Sequence, residues 1–302
     1  MSGNNSFNFM NSVKLLFMSR KSMAFIFSWT AAIGTIIAGR GLPPMVPTLL
    51  AMGASMCIAV SVYLYNDVVD SEMDAASPNK EKQERPIASG VVPVSHAMNF
   101  IYILAGTGLM LSYVISMTTF IIGLTFFVLF ALYSFPAVRF KRMFIVKSLI
   151  TSTGPSWTML LGGNAASGTI PESLVYAAVI QAAFMFFVLP ALADSFDIEE
   201  DRAFGIKTIA IATNWTQKVH MMVVSVSLVA TASIIGYRVI GFNLVLPVAV
   251  TLFSVILLRE IVGLYKGYDE AMAKRTRKVA YAYFTFLPVF MAIGTLNLAT
   301  IL

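Results

Sequence analysis

A chain of 302 residues that is 58% hydrophobic and only 12% charged, with a mean hydropathy of +0.79, has more apolar surface than a water-soluble fold could cover. The bilayer has to serve as its solvent. The formal charge of +6 then reads as the Lys/Arg bias of cytoplasmic loops rather than a nucleic-acid surface, and a single cysteine, Cys57, excludes an internal disulfide.

A helix needs roughly 20 apolar residues to cross the hydrocarbon. Runs near that length fall at 22–39, 45–66, 94–117, 119–138, 148–166, 173–193, 219–240, 244–258 and 279–301, which predicts nine transmembrane helices. The first run follows a tail with no marked small-residue cleavage site, so the first span is expected to be retained. Between the third and fourth runs only Ser116, Met117, Thr118 and Thr119 offer a break, and the eighth is short unless it continues past Arg259. No linker or low-complexity stretch divides the chain, so residues 1–302 read as one all-α membrane domain.

With nine spans, every acidic residue except Glu172 and every basic residue except Arg40 and Arg238 falls on the side of the N-terminus. The Lys/Arg-rich face is expected to be cytoplasmic, in a multi-pass protein of the cell membrane. Four loops build that face: about 67–93, 139–147, 194–218 and 259–278. The first and third are acidic, whereas the second and fourth are mainly basic. This alternation suggests two related four-helix halves with a ninth helix appended.

The first and third loops begin with the same pattern. Asp67, Asp70 and Asp74 stand at i, i+3 and i+7, as do Asp194, Asp197 and Asp201. On a continued helix each trio shares one face, and three carboxylates so placed repel one another unless a positive charge sits among them. Hard oxygen donors without His or Cys favour Mg2+, which completes its shell with water and substrate phosphate. One such pattern would read as a solvated loop; two at the same membrane face point to a metal–phosphate site. Glu72, Glu199 and Glu200 fall off these faces and read as solvated acids.

A diphosphate also calls for cations. Arg85, in RPIASG, and Lys207, in GIKT, each follow an acidic trio closely enough to fold back over it. Lys141 opens the loop after the fourth run, and Asn66 precedes Asp67 with an amide able to orient a carboxylate. Arg20 precedes the first span, where headgroup anchoring and diphosphate binding are both open readings. Arg142, Arg275 and Lys278 read as headgroup anchors. Among the aromatic residues, Tyr65 and Tyr133 lie near the active face and suit a cation-stabilising prenyl pocket; Tyr63 and the stretch Phe184 to Phe187 would suit a greasy tunnel, but most of these read as packed core or lipid-facing surface. His96 and His220 lie away from the acids and are expected to be incidental.

These segments resemble the UbiA superfamily of intramembrane prenyltransferases. YNDVVDSEMD with RPIASG looks like its first signature, DSFDIEEDRAFGIKT like its second, and LYSFPAVRFKR like the stretch ending its fourth helix. The resemblance runs the length of the chain. It implies nine helices around a central cavity open to lipid, with Mg2+ and a prenyl diphosphate donor bound at the cytoplasmic face. It places Asn66 and the six aspartates in the metal and diphosphate set, with Arg85, Lys141 and Lys207 as clamps. The chain departs from the family at Glu200, where archaeal members often carry a glycine, at SRKSM before the first span, and at Lys147, where an asparagine is frequent.

The implied reaction moves a polyprenyl group, with geranylgeranyl the best match, to a lipophilic acceptor. The wording of the second signature most resembles the archaeal branch, whose acceptor is geranylgeranylglyceryl phosphate in ether-lipid synthesis. Aromatic quinone precursors are the main rival acceptors, ahead of haem and chlorophyll precursors. A cation-coupled transporter would place its acids near the membrane midplane, and this chain leaves the midplane nearly uncharged.

Overall fold

The computed structural model describes residues 8–196, 198–203, 205–206 and 208–297, apart from the side chains at 189, 194, 200, 201 and 203. All regular structure among them is helical. The first element, α1 (Phe9–Ser19), occupies what the sequence reading takes for a tail. Asn8 caps it, accepting from the Met10 N–H at 3.2 Å. Phe9, Val13, Leu16 and Phe17 recur at helical spacing, and Leu16 is fully buried in a cluster joined by Val13 and Phe17. Ser12 Oγ lies 2.9 Å from His96 Nδ1, and the Phe9 ring stands edge-on to His96 at 5.6 Å. His96 thereby ties α1 to the bundle, away from the acids.

The bundle follows as α2 (Lys21–Gly39), α3 (Met45–Val69), the short α4 (Ser71–Ala75) and α5 (Lys80–Gln83), α6 (Val94–Ile115) and α7 (Met117–Ser134). Arg40, left-handed at φ 50, ends α2 ahead of two prolines. Ser116 parts α6 from α7, its hydroxyl accepting the Thr119 N–H at 3.0 Å, within the break that the sequence offers. A single tight turn at Phe140–Arg142 leads to α8 (Val146–Ser167). Next come α9 (Glu172–Phe187), α10 (Leu189–Ala193), α11 (Ile198–Ala203) and α12 (Ile209–Ala212). The chain closes with α13 (Trp215–Ile235), α14 (Val245–Gly263) and α15 (Glu270–Thr295). A capping box between Asn214 and Gln217 opens α13.

Two expectations move. The eighth run is not short, because α14 passes Arg259 and reaches Gly263. The last helix begins at Glu270, capped by Asp269 accepting from the Met272 N–H at 2.6 Å, so Lys274, Arg275, Arg277 and Lys278 ride on a helix rather than in a loop. Hydropathy places the start of this helix late because its first turns are polar.

Among the described residues, eight helices are long and apolar enough to cross a membrane, counting α9 with α10 as one. The fifth expected run, α8, has 22 residues but is rich in Ser, Thr and Gly. Its polar positions face protein rather than lipid: Ser148, Ser152, Ser156, Thr158 and Asn164 are buried. Asn164 Oδ1 accepts from Ser116 at 3.2 Å and Thr119 at 2.9 Å, and Thr158 meets Thr30 at 2.6 Å. Hydrogen bonds of this kind join helices where no water competes.

Small residues let α2 and α8 touch backbone to backbone. A Cβ at Gly162 would overlap the carbonyl of Ala31, and one at Gly34 would overlap that of Met159. α2 also packs on α3 and α15, while α15 packs on α14, which brings the last helix against the first span. Between α2, α3, α7, α8, α10 and α15 lies a cavity of about 340 Å³, bordered by Phe27, Tyr63, Tyr133, Pro155 and Tyr281.

Candidate active site

α3 carries Asn66 and Asp67 in its last turn and is capped by Asp70, whose backbone N–H bonds the Asn66 carbonyl at 2.9 Å. α4 follows at once, and the Asp74 N–H returns to the Asp70 carbonyl at 2.8 Å. Helical spacing thus survives the junction and keeps the three carboxylates on one face, as the sequence predicts. All are buried, at 3%, 5% and 3% exposure for Asp67, Asp70 and Asp74, a degree that charged groups tolerate only when paired.

The partners come from four separate segments. Arg20, between α1 and α2, makes a fork to Asp67: Nε donates to Oδ2 at 2.7 Å and Nη2 donates to Oδ1. Arg85 bridges two acids, with Nη1 at 2.6 Å from Asp74 Oδ2 and 3.3 Å from Asp67 Oδ1. Lys141 is buried and donates to Asp70 Oδ1, which Arg139 Nη2 also approaches at 3.4 Å. Asn66 Nδ2 bonds Asp70 Oδ2 at 2.8 Å and Ser134 Oγ at 2.9 Å, tying the acids to the end of α7. Burial raises the Asp74 pKa, while Arg85 beside it and the neighbouring acids pull in opposite directions. Burial lowers the Lys141 pKa against the pull of Asp70.

Arg20, Asn66, Asp67, Asp70, Asp74, Arg85 and Lys141 therefore converge, and Arg20 belongs to the acids rather than to a lipid surface. Asp197 and Lys207 lie outside the described residues, as do the side chains of Asp194 and Asp201. Phe196, within the second acidic motif, packs under the guanidinium of Arg277 at 4.5 Å. Tyr133 borders the central cavity, but Tyr65 does not. It lines a separate groove with Met98, Ile101 and Tyr102, on the other side of α3. Tyr63 stands where Tyr65 is expected: it shares the helical face of Asn66 and Asp67, borders the cavity, and lies 5.9 Å below the Arg20 guanidinium.

The sequence reading misses Arg139 as a site residue. It adopts a left-handed backbone at φ 48, and its Nε is buried without a hydrogen-bond partner among the described residues. Its one sequence signal is the spacing to Lys141 in RFK, which a turn of this kind can aim at one target.

A second cavity of about 120 Å³ reaches Asn66, which bonds Asp70. It is lined by Tyr63, Asn66, Tyr133, Ser134 and Thr151, and shares Tyr63, Tyr133 and Thr151 with the larger one. Two polar residues bonded in the acid cluster, Asn66 and Ser134, thus border the smaller cavity beside the apolar chamber. The donor set of the first trio suits a hard divalent cation, being three buried carboxylates without imidazole or thiol. Among the described residues no three of them already converge on a single point, because each faces an arginine or lysine.

A model of the UbiA prenyltransferase family matches residues 27–297. The digeranylgeranylglyceryl phosphate synthase of Sulfurisphaera tokodaii is 27% identical over 269 residues, covering 87% of this chain and 91% of that protein. The 4-hydroxybenzoate octaprenyltransferase of Pseudomonas fluorescens is 24% identical over 201 residues, covering 66% of this chain and 65% of that protein. A solved structure concerned with digeranylgeranylglyceryl phosphate synthase in membranes shares the fold, with a TM-score of 0.75, 18% identity, and coverage of 95% of this chain and 100% of that one. A UbiA homolog from Archaeoglobus fulgidus bound to GPP and Mg2+ matches with a TM-score of 0.68 and 13% identity, over 93% of this chain and 99% of that one. This multi-pass membrane protein is a prenyltransferase, and it belongs to the UbiA prenyltransferase family.

Proposed function

We propose that the enzyme transfers a geranylgeranyl group from its diphosphate, in a Mg2+-dependent reaction, to the free hydroxyl of geranylgeranylglyceryl phosphate. Arg139 carries this reading most directly. A guanidinium Nε buried without a hydrogen-bond partner among the described residues, on a side chain that shares Asp70 with Lys141, asks for an anionic oxygen, and a diphosphate has several. Among described side chains, Arg20, Arg85, Arg139 and Lys141 bring four positive charges to three carboxylates, an excess suited to an anion. The relative from Sulfurisphaera tokodaii, named for digeranylgeranylglyceryl phosphate, supports the acceptor.

Asp67, Asp70 and Asp74, joined by Asp194, Asp197 and Asp201, would hold Mg2+. Bound Mg2+ supplies Lewis-acid neutralisation of the diphosphate oxygens. Arg85, Arg139 and Lys141, with Lys207 and Arg20, hold those oxygens and stabilise the charge that develops as the allylic C–O bond breaks. Tyr63 and Tyr133 present their rings to the allylic carbon and keep water from it. The acceptor oxygen forms the new C–O bond, and its proton leaves with the diphosphate. In this arrangement α8 is the ninth span, two four-helix halves and α15 form one domain over 1–302, and the site faces the cytoplasm.

The test is direct. Purified protein is incubated with labelled geranylgeranyl diphosphate and a panel of lipid and aromatic acceptors, with Mg2+ or with EDTA. The ether product should appear with geranylgeranylglyceryl phosphate and vanish in EDTA. Product only with an aromatic acceptor refutes the acceptor assignment; undiminished activity in EDTA refutes the metal.

A further inference from the structure

α10 and α15 pack on one another, and both border the cavity of about 340 Å³, the first with Pro190 and Ala193, the second with Tyr281 and Phe284. α10 runs straight into the tight turn Asp194–Phe196, which opens the second acidic motif. Along the chain Phe196 stands between Asp194 and Asp197. On α15, Arg277 precedes Tyr281 by four residues and Phe284 by seven, so all three share one helical face, with Arg277 toward the start of the helix. Its guanidinium carbon lies 4.5 Å from the centre of the Phe196 ring. Where α10 and α15 leave the cavity, a cation–π contact therefore joins the last helix to the second acidic motif.

The two motifs are held in different ways. The first trio rides on helical spacing that survives from α3 into α4. The second motif passes from the turn Asp194–Phe196 to the separate helix α11 within a few residues, so helical continuity does less to set its place on the bundle. Side-chain contacts have to supply what the backbone does not. Phe196 and Arg277 are both partly buried, which strengthens the attraction of a guanidinium to a ring face over that of an exposed pair. Resting on the Mg2+-dependent reading above, we infer that Arg277 is a positioning residue, fixing the second acidic motif through the Phe196 ring so that its aspartates are preset for the metal. Precise placement of ligands by surrounding groups raises metal affinity, and α15 here contributes to it from outside the acids.

The test uses full-length protein in detergent: wild type, Arg277→Gln, Arg277→Lys, Phe196→Leu, Phe196→Tyr and the double variant of Arg277→Gln with Phe196→Leu. Two quantities are read: the Mg2+ concentration for half-maximal turnover, and that for half-maximal rise of the thermal midpoint without donor. Arg277→Gln and Phe196→Leu should each raise both by about threefold to tenfold, the range of a partly withdrawn cation–π contact. The double variant should be no worse than either single one, because both remove the same contact. Arg277→Lys and Phe196→Tyr, which keep a cation over a ring, should stay near wild type. Acceptor KM should not move. Additive losses, or an unchanged Mg2+ response in Arg277→Gln, overturn the inference. So does a donor KM that rises in Arg277→Gln and not in Phe196→Leu, which makes Arg277 a direct diphosphate ligand. These outcomes leave the wild-type Mg2+ response intact, whereas a wild type indifferent to Mg2+ in both readouts overturns the metal reading and this inference together.

Discussion

Replacing Arg20 by methionine removes the fork on Asp67 while keeping most of the side chain's bulk. Asp67 is 3% exposed and Arg20 14%, so the pair is largely withdrawn from water. Removing one member of a buried ion pair typically costs about 3–5 kcal/mol, because the other charge is left without compensation. Arg85 reaches the same carboxylate oxygen at 3.3 Å and offsets part of that loss, which puts the expectation near the lower end, about 3 kcal/mol. The size of the loss should depend on Mg2+. On the proposed metal reading, a bound cation would have to take Asp67 from Arg20 in the wild type, whereas in Arg20→Met the carboxylate is already released. A ligand at a hundred times its Kd stabilises by about 2.7 kcal/mol, enough to erase most of the deficit. Thermal unfolding in detergent, with EDTA and with saturating Mg2+, reads this as a variant midpoint well below wild type in EDTA and close to it in Mg2+. Turnover should still fall about 100-fold, the order seen when one transition-state donor is lost. A deficit of equal size in both buffers would refute the idea that Asp67 passes from arginine to metal.

Asp67→Ala and Asp194→Ala should each nearly abolish prenyl transfer in a product assay while leaving a monodisperse, folded protein. Burial lowers the Lys141 pKa, so its charge should be lost, and activity with it, at a pH below the ordinary lysine range; Lys141→Arg should move that alkaline limb upward in a pH–rate profile. The same shift makes the unfolded chain the better proton binder, so the Lys141 contribution to stability rises with pH between the lowered value and the ordinary one. Gly162→Ala drives a Cβ into the Ala31 carbonyl and should cost about 1–3 kcal/mol or more, seen as a lower midpoint or loss of folded protein on size exclusion.

Hydropathy and period made most of this fold legible in advance. The break at Ser116 and the face shared by Asp67, Asp70 and Asp74 both follow from local rules, capping and helical spacing. Arg85 was legible for the same reason, lying eleven residues after Asp74 in the chain. What local rules missed arrives through tertiary contact. Arg20, left open by the sequence, and Arg139 are 47 and 69 residues from the acids they meet, and apart from the spacing of Arg139 to Lys141 nothing nearby marks either out from a headgroup anchor. Other omissions were readable. The spacing of Phe9, Val13, Leu16 and Phe17 already describes an amphipathic helix, too short to register as a span. The difference between Tyr63 and Tyr65 is a matter of turning α3 by 100° per residue from Asn66. The polar character of α8, which blurs its signal as a span, comes from its place among other helices, where hydroxyls and glycines meet protein instead of lipid.

The pairing of the first trio bears on how a catalytic centre of this kind can exist before its substrate arrives. Three buried carboxylates left alone would protonate or draw apart, since each costs several kcal/mol to desolvate. Here every one is met by a cation that comes from a different part of the chain: the α1–α2 junction, the loop after α5 and the turn before α8. Those contacts hold the segments together around the acids, so assembling the fold and assembling the charges are one event. The same cations are the groups expected to grip a diphosphate. On that reading both sets of groups stay compensated on exchange, because a divalent cation would replace them at the carboxylates while the diphosphate would replace the carboxylates around them. A site built this way would keep its charges neutralised in either condition.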